Sequence, residues 1–316
     1  MKNSVSVVIP NYNGENIIVE TINFAVEALK TSRLTSYEII VSDDASTDQS
    51  ISIIKETFKE VIIVESEKNT GFSGNVNRGV NYATKELVLI LNSDLHLEKG
   101  YFNSQLPLFH DDKVFGVMGS IKDPETLNLQ DGAKLPILKF NMFILSNKNK
   151  FPESNVIPTF FLSGANALVR KDYFLKIGGF CELFNPYYSE DVDLGIRAWK
   201  MGWELYFQPN AICYHTVSTT IKKISKEKVV ITAKRNKYIL HALHLPKHLL
   251  IVYDLNLIII SLVRMIFGNT LYFKAMRDYF ALKKEIKQER FKFSNLNRKQ
   301  KKLQLNRVIN KIKSLD

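Results

Sequence analysis

Apolar positions along this 316-residue chain follow two alternating rhythms. Val5 to Ile9 is a short β-branched run closed by Pro10; the polar turn NYNG follows, and then apolar residues at helical spacing from Ile17 to Leu29. This pattern predicts a strand, a turn and a helix. The unit repeats with a strand at Glu38 to Val41, the loop DDASTD, and a helix carrying Ile51, Ile53, Ile54 and Phe58. Ser46 or Asp48 is placed to cap that helix, because a short oxygen side chain satisfies its free N–H groups. Val61 to Val64 predicts the next strand, followed by the loop NTGFSGN, a helix from Val76 to Ala83, and Leu87 to Leu91. That last run is continuously apolar, as a strand buried on both faces requires.

The pattern weakens over residues 107–158, where several prolines and the polar stretch NKNKFPES predict loops with one or two strands, an insertion suited to shaping an acceptor site. Phe160 to Val169, around Ser163-Gly164-Ala165, predicts a further strand, then a helix at Asp172 to Ile177 and a Gly178-Gly179 turn. Glu190 to Met201 predicts a helix, with Val192, Leu194, Ile196 and Trp199 on one face and Glu190-Asp191 at its positive N-terminus. Trp203 to Phe207 predicts a last core strand before Pro209.

Strands alternating with helices give an α/β class, with a mainly parallel sheet flanked by crossover helices. In such a sheet the carboxyl ends of the strands share one rim. Asp43-Asp44, Asn92-Ser93-Asp94, Glu190-Asp191 and His215 all fall at the ends of apolar runs, so they are candidates for one site.

Two stretches near the C-terminus follow other rules. Leu249 to Phe267 is unusually apolar but is broken by Asp254, Asn256 and Arg264. Charges at membrane depth cost about 2.5–3.5 kcal/mol each, which favours a helix lying in the interface over one that spans. Beyond Lys283 many Lys and Arg accompany Leu305, Val308, Ile309, Ile312 and Leu315, the spacing of a basic amphipathic helix.

Charge divides the chain the same way. Residues 1–220 hold 20 Lys+Arg and 26 Asp+Glu, a balance of −6, whereas residues 221–316 hold 23 and 6, a balance of +17; together these make the chain's +11. The expected organisation is a catalytic domain over 1–220, with a nucleotide-binding half over 1–100 and an acceptor half over 101–220, and a basic, membrane-associating helical extension over 221–316. An anionic membrane surface is the expected partner of that extension. Nucleic acid is not, since no aromatic-interleaved basic motif is present. Cys181 and Cys213 have no metal-ligand or disulfide spacing. The N-terminus MKNSVSVVIPNYNG enters a strand without an apolar signal core, so the expected location is cytoplasmic, peripheral on the inner face of the membrane. Self-association is left open.

The acidic positions suit transfer of a sugar from a nucleoside diphosphate, which needs neutralisation of the leaving group, recognition of the base, and a proton acceptor. Asp94 suits a divalent Mn²⁺ or Mg²⁺, with His215 as a second ligand. Asp44 suits the N3–H of a uracil or thymine ring, and Asp43 the ribose or the loop. Asp191 is the expected base and Glu190 its understudy, while Arg78 and Lys171 are candidate diphosphate or base contacts. Gly71, Gly74 and Gly79 do not form a dinucleotide fingerprint.

The strings VSVVIPNYNG, IIVSDDASTDQS, NTGFSGNVNRGV, LILNSDL, FLSGANALVRKDYFLKIGGF and YYSEDVDLGIRAWKMGW, followed by YH, stand in that order across residues 4 to about 215. They resemble the successive motifs of inverting family 2 glycosyltransferases of the GT-A fold. NTGFSGNVNRG and the Asn of NSD are most similar to the branch with rhamnosyl- and galactofuranosyltransferases of cell-surface polysaccharides. The resemblance implies that Pro10 and Asp44 line the base pocket, Asp94 is the metal carboxylate, Asp191 the catalytic base and His215 a metal ligand. Tyr12, Asn13, Asp43, Asn75, Arg78, Asn92, Ser93 and Gly164 join the nucleotide-sugar site on the same ground. It further implies a dTDP- or UDP-sugar donor, a divalent metal, and a glycan or lipid-linked acceptor. Asn92 stands where the family usually carries the first acid of its DxD motif. Two rivals follow from the residues: a catalytically silent protein of the same fold, and a nucleotidyltransferase, for which NYNGEN lacks the basic Gly-rich loop.

Overall fold

The computed structural model describes residues 3–139, 142–150, 155–215, 225–296, 303 and 305–315. In chain order the first elements are β1 (Ser4–Asn11), α1 (Ile18–Lys30), β2 (Ser36–Asp43), α2 (Ser50–Thr57), β3 (Ile62–Glu65), α3 (Gly71–Tyr82), β4 (Leu87–Leu91) and β5 (Leu95–Leu97). There follow β6 (Val114–Lys122), β7 (Leu129–Asp131), β8 (Ala133–Lys139), β9 (Met142–Lys150), β10 (Ile157–Pro158), β11 (Asn166–Arg170), α4 (Lys171–Lys176), α5 (Glu190–Lys200) and β12 (Glu204–His215). Five helices complete the chain: α6 (Lys226–His244), α7 (Leu250–Ile266), α8 (Leu271–Ala281), α9 (Lys283–Asn295) and α10 (Leu305–Leu315).

Ten strands form one sheet in the order β10-β12-β6-β11-β4-β1-β2-β3, with β5 added to β12 and β7 to β6. The β4-β1-β2-β3 half is wholly parallel, as the βα repeats require. Beyond β4 the sheet is mixed: β11 runs antiparallel to both β4 and β6, while β6 and β12 are parallel. Alternation along the strands sends Val8, Ile40, Val88 and Ile90 to one face and Val7, Ile9, Ile39, Val41, Leu87 and Leu89 to the other. Helices cover both faces, which makes a three-layer α/β/α structure.

Three boundaries differ from the sequence expectation for identifiable reasons. Helix α3 starts at Gly71, five residues before Val76, because the Asp44 carboxylate accepts the N–H groups of Thr70 and Gly71 and stabilises a turn that reads as loop. The run expected as one strand from Phe160 is strand only from Asn166, since Asn166 N–H turns back onto the Ser163 carbonyl. Strand β12 continues past Pro209, with an irregularity between Gln208 and Ile212, and this carries it to His215.

The C-terminal helices are less separate than the charge split suggests. Tyr238, Ile239, Leu240, Tyr279, Val308 and Ile312 belong to the same core as Trp199 of α5. The amphipathic tail helix α10 exists, but its Val308, Ile309 and Ile312 are buried inside the molecule. Its apolar stripe is therefore spent internally. Exposure of large apolar side chains concentrates instead on α7, where Ile251, Leu255, Ile259 and Ile266 face outward. The boundary expected near residue 220 lies outside the described residues.

Candidate active site

Parallel pairing places the C-terminal ends of β1, β2 and β4 on one rim, which carries Asn11, Asp43-Asp44 and Asn92-Ser93-Asp94. Because β11 is antiparallel to β4, with Asn166 opposite Leu91, its beginning lies at that rim too. The Asn92 N–H donates to the Ala165 carbonyl at 2.9 Å and fastens the Gly164 segment there.

On the nucleotide side, Asp43 is buried and accepts from Asn11 Nδ2 at 2.8 Å and from the Ser46 N–H at 2.9 Å. The two oxygens of Asp44 receive the N–H groups of Thr70 and Gly71, the Thr70 hydroxyl and Arg78. A carboxylate offers about four lone-pair positions, so a pyrimidine N–H would share acceptors already in use. Asp43 and Asp44 thus shape the loop whatever else they bind. Pro10 is the penultimate residue of β1, and Tyr12, just past the end of the strand, is 44% exposed, an aromatic face open to solvent. Asn13 adopts φ 53° and accepts the Thr47 N–H through Oδ1 at 2.8 Å, which closes the β1 loop onto the β2 loop. Ser93 holds α1 by accepting the Thr21 hydroxyl on its carbonyl at 2.6 Å.

The Arg78 guanidinium donates to the Asp43 carbonyl at 2.8 Å and to Asn75 Oδ1 at 2.7 Å, and pairs with Asp44 at 3.3 Å, so it is fixed in the nucleotide-side loop. Asn75 is buried and donates to the Asn11 carbonyl, which ties α3 to β1. Lys171 lies at the opposite end of the sheet, where Arg170 pairs with Leu87, and its ammonium is bound to the Ala83 carbonyl. The sequence could not show which end of a strand that faces the other way would meet the rim.

On the acceptor side, Asp191 sits in the first turn of α5 and accepts a backbone hydrogen bond from Gly164. A Cβ at Gly164 would lie 3.4 Å from the Phe72 ring and 3.8 Å from Asp191 Cβ, so α3, the Gly164 segment and α5 converge there. Burial pushes the Asp191 carboxyl up to about 6, against the lowering effect of its backbone hydrogen bonds and of the Lys134 ammonium. Glu190 is 7% exposed, its Oε2 has no hydrogen-bond partner, and burial beside Asp191 raises its pKa further. The two residues before it, Tyr188 and Ser189, adopt φ 76° and 77°. Such conformations cost about 1–3 kcal/mol each for non-glycine residues and persist only where neighbours hold them.

At the third corner, Asp94 Oδ2 and His215 Nε2 are 3.3 Å apart. Asp94 raises the pKa of that imidazole, while His215 Nδ1 lies 2.9 Å from Gln130 Oε1, a contact that orients the ring. Among the described residues no three His, Cys, Asp or Glu side chains cluster as a metal site. The fit with a divalent cation rests on this pair and on Asn92, whose buried Oδ1 lacks a hydrogen-bond partner and is a neutral oxygen ligand in waiting. Lys134, Gln130 and Asn185 had no sequence signal, because they sit in the unpatterned 107–158 stretch or in a turn, whereas Phe72 falls within the NTGFSGNVNRG string at the start of α3.

Known proteins of similar sequence or fold are glycosyltransferases. The chain is similar to N-acetylglucosaminyl-diphospho-decaprenol L-rhamnosyltransferase of Mycobacterium tuberculosis (strain CDC 1551 / Oshkosh), 25% identical over 219 residues that cover 61% of this chain and 70% of the relative. It is 27% identical over 246 residues to the probable glycosyltransferase YdaM of Bacillus subtilis (strain 168), covering 74% of this chain and 56% of that protein. Its fold is similar to that of GalNAc-T7 solved with UDP, GalNAc and Mn²⁺, with TM-score 0.60, 13% identity, and coverage of 76% of this chain and 48% of the other. Similarity extends to the mannosyltransferase PcManGT from Pyrobaculum calidifontis in complex with GDP-Man and Mn²⁺, with TM-score 0.53, 20% identity, and coverage of 75% and 62%. At these identities the likeness shows the fold, that of GT-A glycosyltransferases. A profile of the family described as "Glycosyl transferase family 2" matches residues 6–178, more than half of the chain, and the protein belongs to that family.

Proposed function

We propose that this protein is an inverting glycosyltransferase that moves a hexose, rhamnose foremost, from a dTDP- or UDP-sugar to a hydroxyl of a cell-surface polysaccharide or lipid-linked glycan. The observation that carries the reading is Asp191, a carboxylate with raised pKa on a rim shared with the Asp43-Asp44 loop and the Asp94–His215 pair. The rhamnosyl and lipid-diphosphate parts lean on the name of the mycobacterial relative.

Asp191 takes the proton of the acceptor hydroxyl as its oxygen attacks the anomeric carbon from the face opposite the diphosphate. The new C–O bond forms as the bond to the diphosphate breaks, and that electron pair leaves with the nucleotide. A pKa near 6 lets Asp191 be ionised at neutral pH and still be a competent acceptor. Glu190, buried without a partner, keeps its proton longer and so leaves the negative charge to its neighbour. Asp94, His215 and the Asn92 oxygen would hold a divalent cation. That ion would neutralise charge on the leaving diphosphate. Tyr12 and Pro10 offer the face for the base.

The same proposal places the enzyme on a membrane surface. Lys247–Ile266 is long and apolar enough to cross a membrane by length and composition, with mean hydropathy 2.1. However, Tyr253, Leu257 and Ser261 of α7 are buried against the rest of the molecule, and Asp254 is paired with Lys283 at 2.6 Å. A helix with one face packed on the protein and one apolar face outward suits the interface, peripheral on the cytoplasmic side.

Release of nucleoside diphosphate from a donor panel, dTDP-rhamnose, UDP-galactofuranose, UDP-glucose, UDP-galactose and UDP-GlcNAc, tests the proposal. The native chain should turn over at least one of them, and Asp191→Asn should bind that donor yet lose about 10²–10⁴-fold in rate. Binding without turnover by the native chain would favour a silent protein of the same fold, which Asn92 in place of an acid makes a real rival.

A further inference from the structure

We infer that helix α6, through the adjacent residues Arg235 and Asn236, is a positioning device for the catalytic base. The inference rests on the reading of Asp191 as that base. Asn236 is completely buried, and its Nδ2 donates to three carbonyls of the segment that leads into α5: Phe184 at 2.6 Å, Tyr187 at 2.8 Å and Tyr188 at 2.9 Å. An amide group has two N–H donors, so the three acceptors share them. Asn236 Oδ1 in turn accepts from Arg235 Nε at 2.9 Å, and the Arg235 guanidinium donates to the Asn185 carbonyl. One two-residue step of α6 therefore holds the carbonyls of positions 184, 185, 187 and 188.

That segment contains the two left-handed residues Tyr188 and Ser189, immediately before Glu190-Asp191. Side-chain-bearing residues hold this conformation only when neighbours enforce it. On its other side the segment is fixed to the nucleotide half: the Phe72 N–H donates to the Pro186 carbonyl at 3.3 Å, the Ser73 N–H to Asn185 Oδ1 at 3.2 Å, and Asn185 Nδ2 to the Thr70 carbonyl. Thr70 is itself held by Asp44. The base-bearing turn thus hangs between α3 and α6. At the far end of α6, His244 Nε2 meets Asp193 Oδ1 at 2.7 Å, so the same helix also fixes the body of α5. The hydrogen bonds of Arg235 and Asn236 go to the backbone carbonyls that lead into α5, so both act through the backbone on which Asp191 stands.

The test is Asn236→Leu, which keeps the branched shape and removes both donors, in the whole 316-residue chain. Two readouts are compared with the native chain: hydrogen exchange of the amides of 185 and 187–191, and the rate and pH profile of nucleoside diphosphate release with whichever panel donor the native protein turns over. Exchange at these amides should rise at least 10-fold while that of β1, β2 and β4 stays put. The turnover number should fall at least 10-fold with donor affinity within 3-fold, and its acidic limb should move to lower pH as water reaches Asp191. Asn236→Gln, which restores donors, should recover part of the rate. Unchanged exchange at these amides overturns the inference, and so does a rate loss that only tracks the unfolded fraction with the acidic limb unmoved. Failure of the native protein to turn over any donor would instead strike at the proposed function, while the exchange result would still judge the clamp.

Discussion

At the scale of single residues, the proposed chemistry turns on one carboxylate in an unusual setting. Asp191 is raised to about 6 mainly by burial, so it loses its negative charge at a pH where an ordinary aspartate keeps it. A base works only when ionised; the rate should therefore fall as pH drops through about 6, and a rate profile flat down to pH 5 would contradict the assignment. Asp94 and His215 give a second prediction. Asp94→Ala should abolish stimulation of donor turnover by Mn²⁺, because the pair 3.3 Å apart loses its only anionic member; a preserved Mn²⁺ response would remove Asp94 from metal binding. Which of these residues were legible in the sequence follows a simple physical rule. Asp43 closes β2 and Asp44 follows it, Asp94 follows β4 and Asp191 opens α5, so periodicity marks them as candidates for one rim. Lys171 lies away from the rim because direction is not written in composition: it follows a strand that runs antiparallel to its neighbours. Asn236 was invisible, since a polar residue inside a helix gives no hint that its amide is buried against a loop some fifty positions earlier.

At the scale of elements, the βα repeats of the first hundred residues were readable because each strand is a short apolar run and each helix has one apolar face. Strand β6 was not: Val114–Lys122 is buried almost throughout but contains Gly116 and Gly119, which dilute its signal. At Gly119 a Cβ would come within 2.2 Å of the Ala211 carbonyl oxygen, so glycine there permits the close approach of β12. Helix α6 supplies a test of stability. Burial presses His244 down to about 4, whereas the unfolded chain binds its proton near 6.5. The unfolded state therefore holds more protons between those values, and stability should decline as pH falls from about 6.5 to about 4, by on the order of 3 kcal/mol. His244→Gln, which retains a donor to Asp193, should flatten that decline in urea melts; an equal slope in both proteins would refute the neutral buried imidazole. Helix α7 supplies another. Ile251→Lys with Ile259→Lys places charge on its outward face, where the native side chains are 72% and 58% exposed, without touching the core. The variant should cease to float with vesicles containing anionic lipid, and unchanged flotation would discard α7 as the membrane face.

At the scale of the whole molecule, the acidic half and the basic half share one hydrophobic core. The proposed catalytic rim lies where β1, β2 and β4 end, while the described helices after residue 225 complete the core behind α5 and expose apolar side chains on α7. Charge reports what meets solvent, not what packs beneath it: Val308 and Ile312 of the basic segment are buried. The central claim is that a nucleotide-sugar and an acceptor hydroxyl meet on this rim and react in one displacement, with Asp191 as base. Its most direct test is the anomeric configuration of the product, read by NMR from a donor of known configuration. Inversion at the anomeric carbon, lost together with turnover in Asp191→Asn, is the result expected. A product that retains the donor's configuration would contradict it.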